Sequence, residues 1–113
     1  MIIKNKVLAQ YHFLSEMDND KYYPIYLVKK GQEILKELCI NIEGSQPKTL
    51  NELYALSHKA TDKFNQLAEE FEKENSEIET VARECIAENI YIIAKEYGFE
   101  KADTEELIAT RDW

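Results

Sequence analysis

Apolar side chains recur along this chain at spacings of three and four residues, which is the repeat of one face of an α-helix. Val7, Tyr11, Leu14 and Met17 show this spacing near the start of the chain, and similar stripes follow as far as residue 97. Only three Gly and two Pro occur among 113 residues, fewer than the turns of a β-sandwich or barrel require. The pattern predicts an all-α fold: one soluble domain, residues 1–113, built around one hydrophobic core.

Local signals at the helix ends divide the chain into helices, which we expect to pack as a compact bundle. Thr49 with Glu52, and Ser76 with Glu79, have the spacing of capping boxes, in which each pair satisfies free backbone amides at a helix start. Gly31 lies inside an apolar stripe, where it costs about 1 kcal/mol relative to Ala, so we expect a neighbouring helix to approach closely there, with a local break of the helix as the alternative. The predicted bundle has four main helices, at about 5–17, 24–42, 50–74 and 77–97, and a short C-terminal helix at about 104–111.

The formal net charge of −8 is concentrated in the second half of the chain. Residues 49–113 carry sixteen Asp and Glu against seven Lys and Arg, whereas residues 1–48 are nearly balanced. Such a surface repels phosphate backbones and anionic lipid headgroups, so we expect no nucleic-acid partner and no membrane partner. The densest acidic run, which only Lys73 offsets, is a candidate docking surface for a basic protein or simply a solvated face. It comprises Glu69, Glu70, Glu72, Glu74, Glu77 and Glu79.

Cys39 and Cys85 each lie in an apolar helical pattern, without a second Cys or a His at zinc-site spacing. Buried free thiols are the favoured interpretation, and a disulfide or a metal site is the alternative. The first ten residues contain no apolar run of signal-peptide length, so we expect a cytoplasmic protein.

No motif in the chain predicts a catalytic site. A carboxylate-bridged di-metal centre in a helical bundle needs two Glu-x-x-His pairs, but Ala9 and Ala55 occupy the positions three residues before His12 and His58. Phosphate-binding loops, dinucleotide fingerprints and zinc-protease motifs are also missing from the sequence. The sequence therefore predicts no catalytic residues, no metal and no cofactor.

Polar residues occupy several positions where the helical repeat predicts apolar ones. Asn89 falls near the centre of the apolar face of the predicted helix 77–97, and a buried amide without partners costs about 1–3 kcal/mol. Tyr54, His58, Thr61 and Asn65 follow one another at spacings of three and four and form a polar ridge along the predicted helix 50–74. If these two helices pack antiparallel, the ridge could supply the partner that Asn89 needs. The five side chains are a candidate small-molecule pocket, with His58 as its titrating group, or a hydrogen-bonded network that only fixes packing.

Four of the seven tyrosines gather around the break between the first two predicted helices. Tyrosine suits half-buried positions at the edge of a core and is also enriched in interfaces. The cluster is therefore either packing or a surface for a partner or a second copy of the chain. Its members are Tyr11, Tyr22, Tyr23 and Tyr26.

Several separated segments of the chain resemble a small bacterial family catalogued as domain of unknown function 5713. The segments are DKYYP at 20–24, LYALSH at 53–58, SEIET at 76–80, ARECIAE at 82–88 and EELIATRDW at 105–113. The resemblance covers nearly the whole chain and implies a stand-alone domain of the bacterial cytosol. It brings no catalytic residues with it.

The sequence thus favours a protein–protein interaction or binding module that engages an unknown protein partner, or a second copy of itself, through the acidic run, the tyrosine cluster, or both. One alternative is a small-molecule-binding or enzymatic pocket between the predicted helices 50–74 and 77–97. A further alternative, motivated by net charge alone, is an acidic inhibitor or immunity-type protein that masks a basic site on its target.

Overall fold

The computed structural model describes residues 2–113, and these residues form six α-helices and no strand. The prediction of an all-α fold is confirmed, while residue 1 of the predicted domain lies outside the described residues. Helices α3 and α4 pack along each other, α5 packs against α3, and α6 contacts both α4 and α5. In chain order the helices are α1 Lys6–Ala9, α2 Ser15–Asp18, α3 Ile25–Ser45, α4 Leu50–Lys73, α5 Thr80–Glu96 and α6 Thr104–Leu107.

Buried apolar side chains from all six helices form the hydrophobic core. Burial of these side chains supplies the main driving force for folding, because it removes apolar area from water. None of the helices in residues 2–113 combines the length and the apolar character needed to cross a membrane. Representative core residues, one from each helix in order, are Leu8, Met17, Leu35, Phe64, Ile90 and Leu107.

The starts of α4 and α5 show one capping prediction confirmed and one wrong. The Thr49 hydroxyl accepts the Glu52 amide at 3.2 Å, so α4 begins at the predicted capping box. α5 begins at residue 80 instead of 77, because the Glu79 carboxylate accepts the first-turn amides of this helix. The hydroxyl of Ser76 instead donates to the backbone carbonyl of Tyr22 at 3.1 Å, a contact across 54 residues that no local pattern reveals.

The predicted helix at 5–17 is wrong in its middle, where the chain breaks into α1 and α2. Leu14, between them, adopts the left-handed conformation at φ 56° and ψ 35°, which costs a residue with a Cβ roughly 1–2 kcal/mol. Its buried amide donates to the Asn89 side-chain oxygen at 2.9 Å. The break therefore depends on a side chain of α5.

Two further helix boundaries differ from the prediction. α3 continues through Gly44 to residue 45 and ends where Gln46 turns left-handed, at φ 50°. The C-terminal helix covers only 104–107, one turn of the predicted 104–111. Residues 108–113 are consequently left without the regular backbone hydrogen bonds of a helix, and their polar groups need other partners.

Gly31 marks a close approach of neighbouring elements to α3. A Cβ placed there would lie 2.8 Å from the Leu14 Cδ1 atom and 3.2 Å from the Phe64 Cε1 atom. The predicted close approach of a neighbouring helix at this glycine is confirmed, since Phe64 belongs to α4.

Candidate interaction surface

The polar ridge of α4 binds the main chain of the segment that follows α5. The Tyr54 hydroxyl accepts the backbone amide of Asp103 at 3.1 Å. The His58 ring, stacked on Tyr54 with an interplanar angle of 12°, places Nε2 2.7 Å from the carbonyl oxygen of Glu106. A carbonyl oxygen can only accept, so Nε2 of His58 carries the hydrogen.

The other two ridge residues continue the same contact toward the end of the chain. Thr61 donates its hydroxyl to its own helix at 2.9 Å and lies 3.3 Å from the carbonyl of Leu107. The Asn65 amide donates to the Thr110 carbonyl and accepts the Asp112 amide, both at 3.0 Å. The ridge thus supplies hydrogen-bond partners that the short α6 cannot supply by itself.

Asn89 is not brought together with these four side chains. Its oxygen accepts the Leu14 amide and its nitrogen donates to the Cys85 carbonyl at 2.8 Å, so both ends of the amide are used on the α2 side of α5. The expectation that the ridge would serve Asn89 was wrong. The physical reason is that α6 contacts both α4 and α5, and the main chain of residues 103–112 occupies the ridge.

The acidic run and the tyrosine cluster, two separate features of the sequence, meet at one end of the molecule. The Tyr23 hydroxyl donates to the Glu79 carboxylate, and the Tyr26 hydroxyl donates to the Glu74 carboxylate at 2.6 Å. The bond from Ser76 to the carbonyl of Tyr22 joins the same two segments. Tyr11 lies elsewhere, against Phe13 with ring centroids 5.1 Å apart.

These contacts shift the acidity of the groups they join. The hydrogen bond from Tyr23 lowers the pKa of Glu79, and the bonds from the first-turn amides of α5 act in the same direction against desolvation. Desolvation, followed by the Glu79 hydrogen bond, raises the pKa of Tyr23. The hydrogen bond to Glu74 raises the pKa of Tyr26. At neutral pH both tyrosines are therefore protonated donors, and Glu79 is an ionised acceptor.

Large apolar side chains are exposed beside these contacts. Ile25 is 61% exposed, Tyr26 and Val81 are each 51% exposed, and Tyr22 is 46% exposed. The sequence pattern singled out neither Ile25 nor Val81 as an exposed apolar side chain. The sequence signal that could have identified Ile25 is its position two residues before Leu27 and Val28, which are both buried in α3.

The glutamates of the run divide into two groups. Glu70, Glu74 and Glu79 have partners within the chain, with Glu70 accepting Lys30 at 2.6 Å. Glu69, Glu72 and Glu77 have no ion pair or side-chain hydrogen bond within residues 2–113. These three carboxylates line an open depression of about 390 Å³ next to Trp113.

We define the tip surface as two sets of side chains at this end of the molecule. The apolar set consists of the exposed side chains of Tyr22, Ile25, Tyr26 and Val81. The charged set consists of the carboxylates of Glu69, Glu70, Glu72, Glu74 and Glu77.

The opposite end of α3 carries a separate carboxylate network. The Glu43 carboxylate accepts the backbone amides of Lys4 and Asn5, at 2.8 and 2.9 Å, and the hydroxyl of Tyr97 at 2.6 Å. Desolvation would raise the pKa of Glu43, but the hydrogen bonds outweigh it and the net pKa is lowered. This carboxylate anchors the start of the chain to α3 and α5.

Both cysteines are free and buried, as predicted. Desolvation raises the pKa of the Cys39 thiol to about 12 and that of Cys85 to about 11. Neither is a thiolate nucleophile at neutral pH. Within residues 2–113, no three side chains of His, Cys, Asp or Glu are arranged to hold a metal ion.

Comparisons with known proteins bear on the whole of this structure. The model of a family described as "Family of unknown function (DUF5713)" matches residues 7–113, a range that includes the ridge and the tip surface. No curated protein and no solved structure matches the chain. Since the match spans nearly all of the chain, the protein belongs to the family of unknown function DUF5713.

Proposed function

We propose that this chain is a protein-interaction module of the bacterial cytosol, which binds a basic segment of another protein through the tip surface. The observation that carries the proposal is the joining of the tyrosine cluster to the acidic run by the bonds Tyr23–Glu79 and Tyr26–Glu74. Aromatic side chains next to carboxylates give one surface both apolar area and negative charge.

The apolar part of the tip surface has the character of a binding site. Exposed large apolar side chains that gather at one place on a protein mark interaction sites more often than scattered ones do. Tyrosine contributes large contact area with few rotatable bonds, so it loses little conformational entropy on binding. The hydroxyl of Tyr26 is already held by Glu74, which reduces that entropy cost further.

The charged part of the tip surface indicates the sign of the partner. Three carboxylates, those of Glu69, Glu72 and Glu77, remain without an internal partner in the described chain and face a common depression. A partner with Lys or Arg opposite them gains electrostatic complementarity and a faster association rate. An acidic inhibitor that masks a basic site on its target is a special case of this binding mode.

Affinity capture from the cytosol of the source organism tests the proposal, with the double variant Ile25→Ser, Tyr26→Ser compared with wild type. The matched control is Val7→Ser, which removes a side chain of similar exposure, 55%, outside the tip surface. We expect one basic protein, confirmed by direct binding with purified components, to bind wild type and the control. Loss of a central aromatic contact costs about 2 kcal/mol, so the double variant should bind it at least about 30-fold more weakly.

Salt gives a second readout of the same interaction. The screening length falls from about 8 Å at 0.15 M salt to about 3 Å at 1 M, so capture should weaken at high salt. Capture of the same proteins by wild type, control and double variant would overturn the proposal. So would a partner whose binding surface is acidic, or a self-associated dimer with no other protein bound.

A further inference from the structure

The residues after α6 divide into an anchored part and an exposed part. Leu107 and Ile108 are 0% and 2% exposed and belong to the core. Beyond them, Ala109, Thr110 and Asp112 are exposed. Arg111 and Trp113 are partly buried. We name residues 109–113 the latch.

Two main contacts hold the latch on α4, in addition to a long bond of 3.5 Å from the Thr110 hydroxyl to the His58 carbonyl. Asn65 grips the main chain from both sides, donating to the Thr110 carbonyl and accepting the Asp112 amide. The Trp113 ring packs edge to face on Phe64, with ring centroids 6.3 Å apart. A side-chain amide that bonds the carbonyl of one residue and the amide of the residue two positions later can bind any extended peptide. The exception is a peptide with proline at the second position, because proline has no amide hydrogen to donate.

The latch is imperfectly held. The Trp113 indole nitrogen is buried and has no hydrogen-bond partner in the part of the chain that the structure describes. A buried donor without an acceptor loses its bond to water and gains nothing in return, which offsets part of the stabilisation from packing the ring. The two bonds to Asn65 are exposed to solvent, so water competes for both.

Release of the latch would uncover a face of α4 that is continuous with the tip surface. Phe64 would lose its cover, and the Asn65 amide would become free. Asn65 already lines the depression that contains Glu69, Glu72 and Glu77. The uncovered face would therefore offer an aromatic contact, a main-chain clamp and unpaired carboxylates in one row.

We propose that the latch is releasable, and that the face of α4 beneath it binds an extended segment of the partner protein that carries one aromatic and one basic side chain. The latch itself places the aromatic side chain of Trp113 on this face in the absence of a partner. Its Arg111 instead lies 3.7 Å from Glu105 and donates to the Trp113 carbonyl, so the basic side chain is inferred from the unpaired carboxylates of the depression. The inference rests on the proposed function, because the segment belongs to the same basic partner that binds the tip surface.

A peptide of residues 107–113 provides the probe, and a full-length variant provides the open face. The double substitution Asp112→Pro, Trp113→Ala removes both the amide that Asn65 accepts and the ring. Because Trp113 is the only Trp in the chain, the peptide indole is then the only one in solution. Its emission maximum and its quenching by acrylamide report binding directly.

We expect saturable binding of the peptide to this variant, with a blue shift and reduced quenching. Adding Asn65→Ala should weaken binding at least about tenfold, the equivalent of about 1.4 kcal/mol. The matched control, Gln66→Ala on the neighbouring exposed position of α4, should leave binding unchanged. A peptide with Arg111→Glu should bind more weakly at low salt, where the carboxylates are least screened.

Two results would overturn the proposal that the latch is releasable and covers a binding face. The first is absence of saturable binding by an open-face variant whose circular dichroism and melting temperature match wild type. The second comes from the wild-type background and needs no open-face variant: Asn65→Ala should increase acrylamide quenching of Trp113 and Gln66→Ala should not, so equal quenching in both refutes the role of Asn65.

The two proposals can fail separately. Peptide binding that fails while capture of a partner still depends on Ile25 and Tyr26 refutes the latch and leaves the tip surface intact. If the peptide binds but capture of the partner does not depend on Ile25 and Tyr26, the proposed function of the tip surface is refuted and the latch is not.

Discussion

Replacing Asn89 by Ala should destabilise the protein by about 2–3 kcal/mol. The substitution leaves the buried amide of Leu14 without an acceptor, which costs about 1–3 kcal/mol, and it also leaves a small void in the core. The Cys85 carbonyl loses less, because a helical carbonyl at this position keeps its backbone partner. Leu14 would then hold a left-handed conformation that nothing compensates.

The expected change in melting temperature follows from the size of the chain. An unfolding entropy of roughly 2.1 cal/mol/K per residue gives about 0.24 kcal/mol/K for a chain of this length. Asn89→Ala should therefore lower the melting temperature by roughly 8–12 °C, followed by circular dichroism at 222 nm. Urea unfolding at 25 °C should give a lower midpoint, with the slope close to that of wild type.

The matched control is Glu88→Ala, at the neighbouring exposed position of the same helix. A surface substitution of this kind changes stability by less than about 0.5 kcal/mol. If Asn89→Ala and Glu88→Ala have the same melting temperature, the break between α1 and α2 does not depend on the amide of Asn89, and the reasoning fails.

Three further predictions concern packing, pH and thiol chemistry. Gly31→Ala should destabilise by roughly 1 kcal/mol in urea unfolding, since crowding outweighs the gain in helix propensity, whereas Gly44→Ala, whose Cβ meets nothing within 4 Å, should be neutral or stabilising. The lowered pKa of Glu43 means that its ionised form stabilises the fold above its ordinary pKa near 4.5 and that this contribution disappears as pH falls. The stability difference between wild type and Glu43→Gln should therefore be largest at pH 7 and shrink below pH 4.5, and a constant difference would contradict the network. Cys39 and Cys85 should react with a disulfide reagent at pH 8 only after denaturant is added; rapid reaction of the native chain would contradict their burial.

The existence and type of the long helices could be predicted because their signals are local. Apolar spacing, the Thr49 capping box and the left-handed Asn75 after α4 all act within one turn of the helix. The close approach at Gly31 could be predicted as well, because a glycine inside an apolar stripe has few other uses. These features need no knowledge of the rest of the fold.

The break at Leu14 could not be predicted in this way. The stretch 5–17 has helical spacing throughout, and nothing in it disfavours a continuous helix. The competing interaction comes from Asn89, 75 residues away, whose side-chain oxygen accepts the buried amide of Leu14. Before α5, the hydroxyl of Ser76 likewise finds a distant partner in the Tyr22 carbonyl, while Glu79 caps the helix locally.

The candidate site likewise combines features that are local in the sequence with contacts that only the fold creates. The sequence alone determined the ridge on α4, the acidic run and the tyrosine cluster, because each is a run of residue types at helical or near-neighbour spacing. Only the tertiary structure decided that the ridge binds the backbone after α5 and that Tyr23 and Tyr26 meet Glu79 and Glu74. The physical reason is range: helix formation depends on residues within about four positions, whereas a buried polar group takes whichever partner the packed chain brings within hydrogen-bond distance.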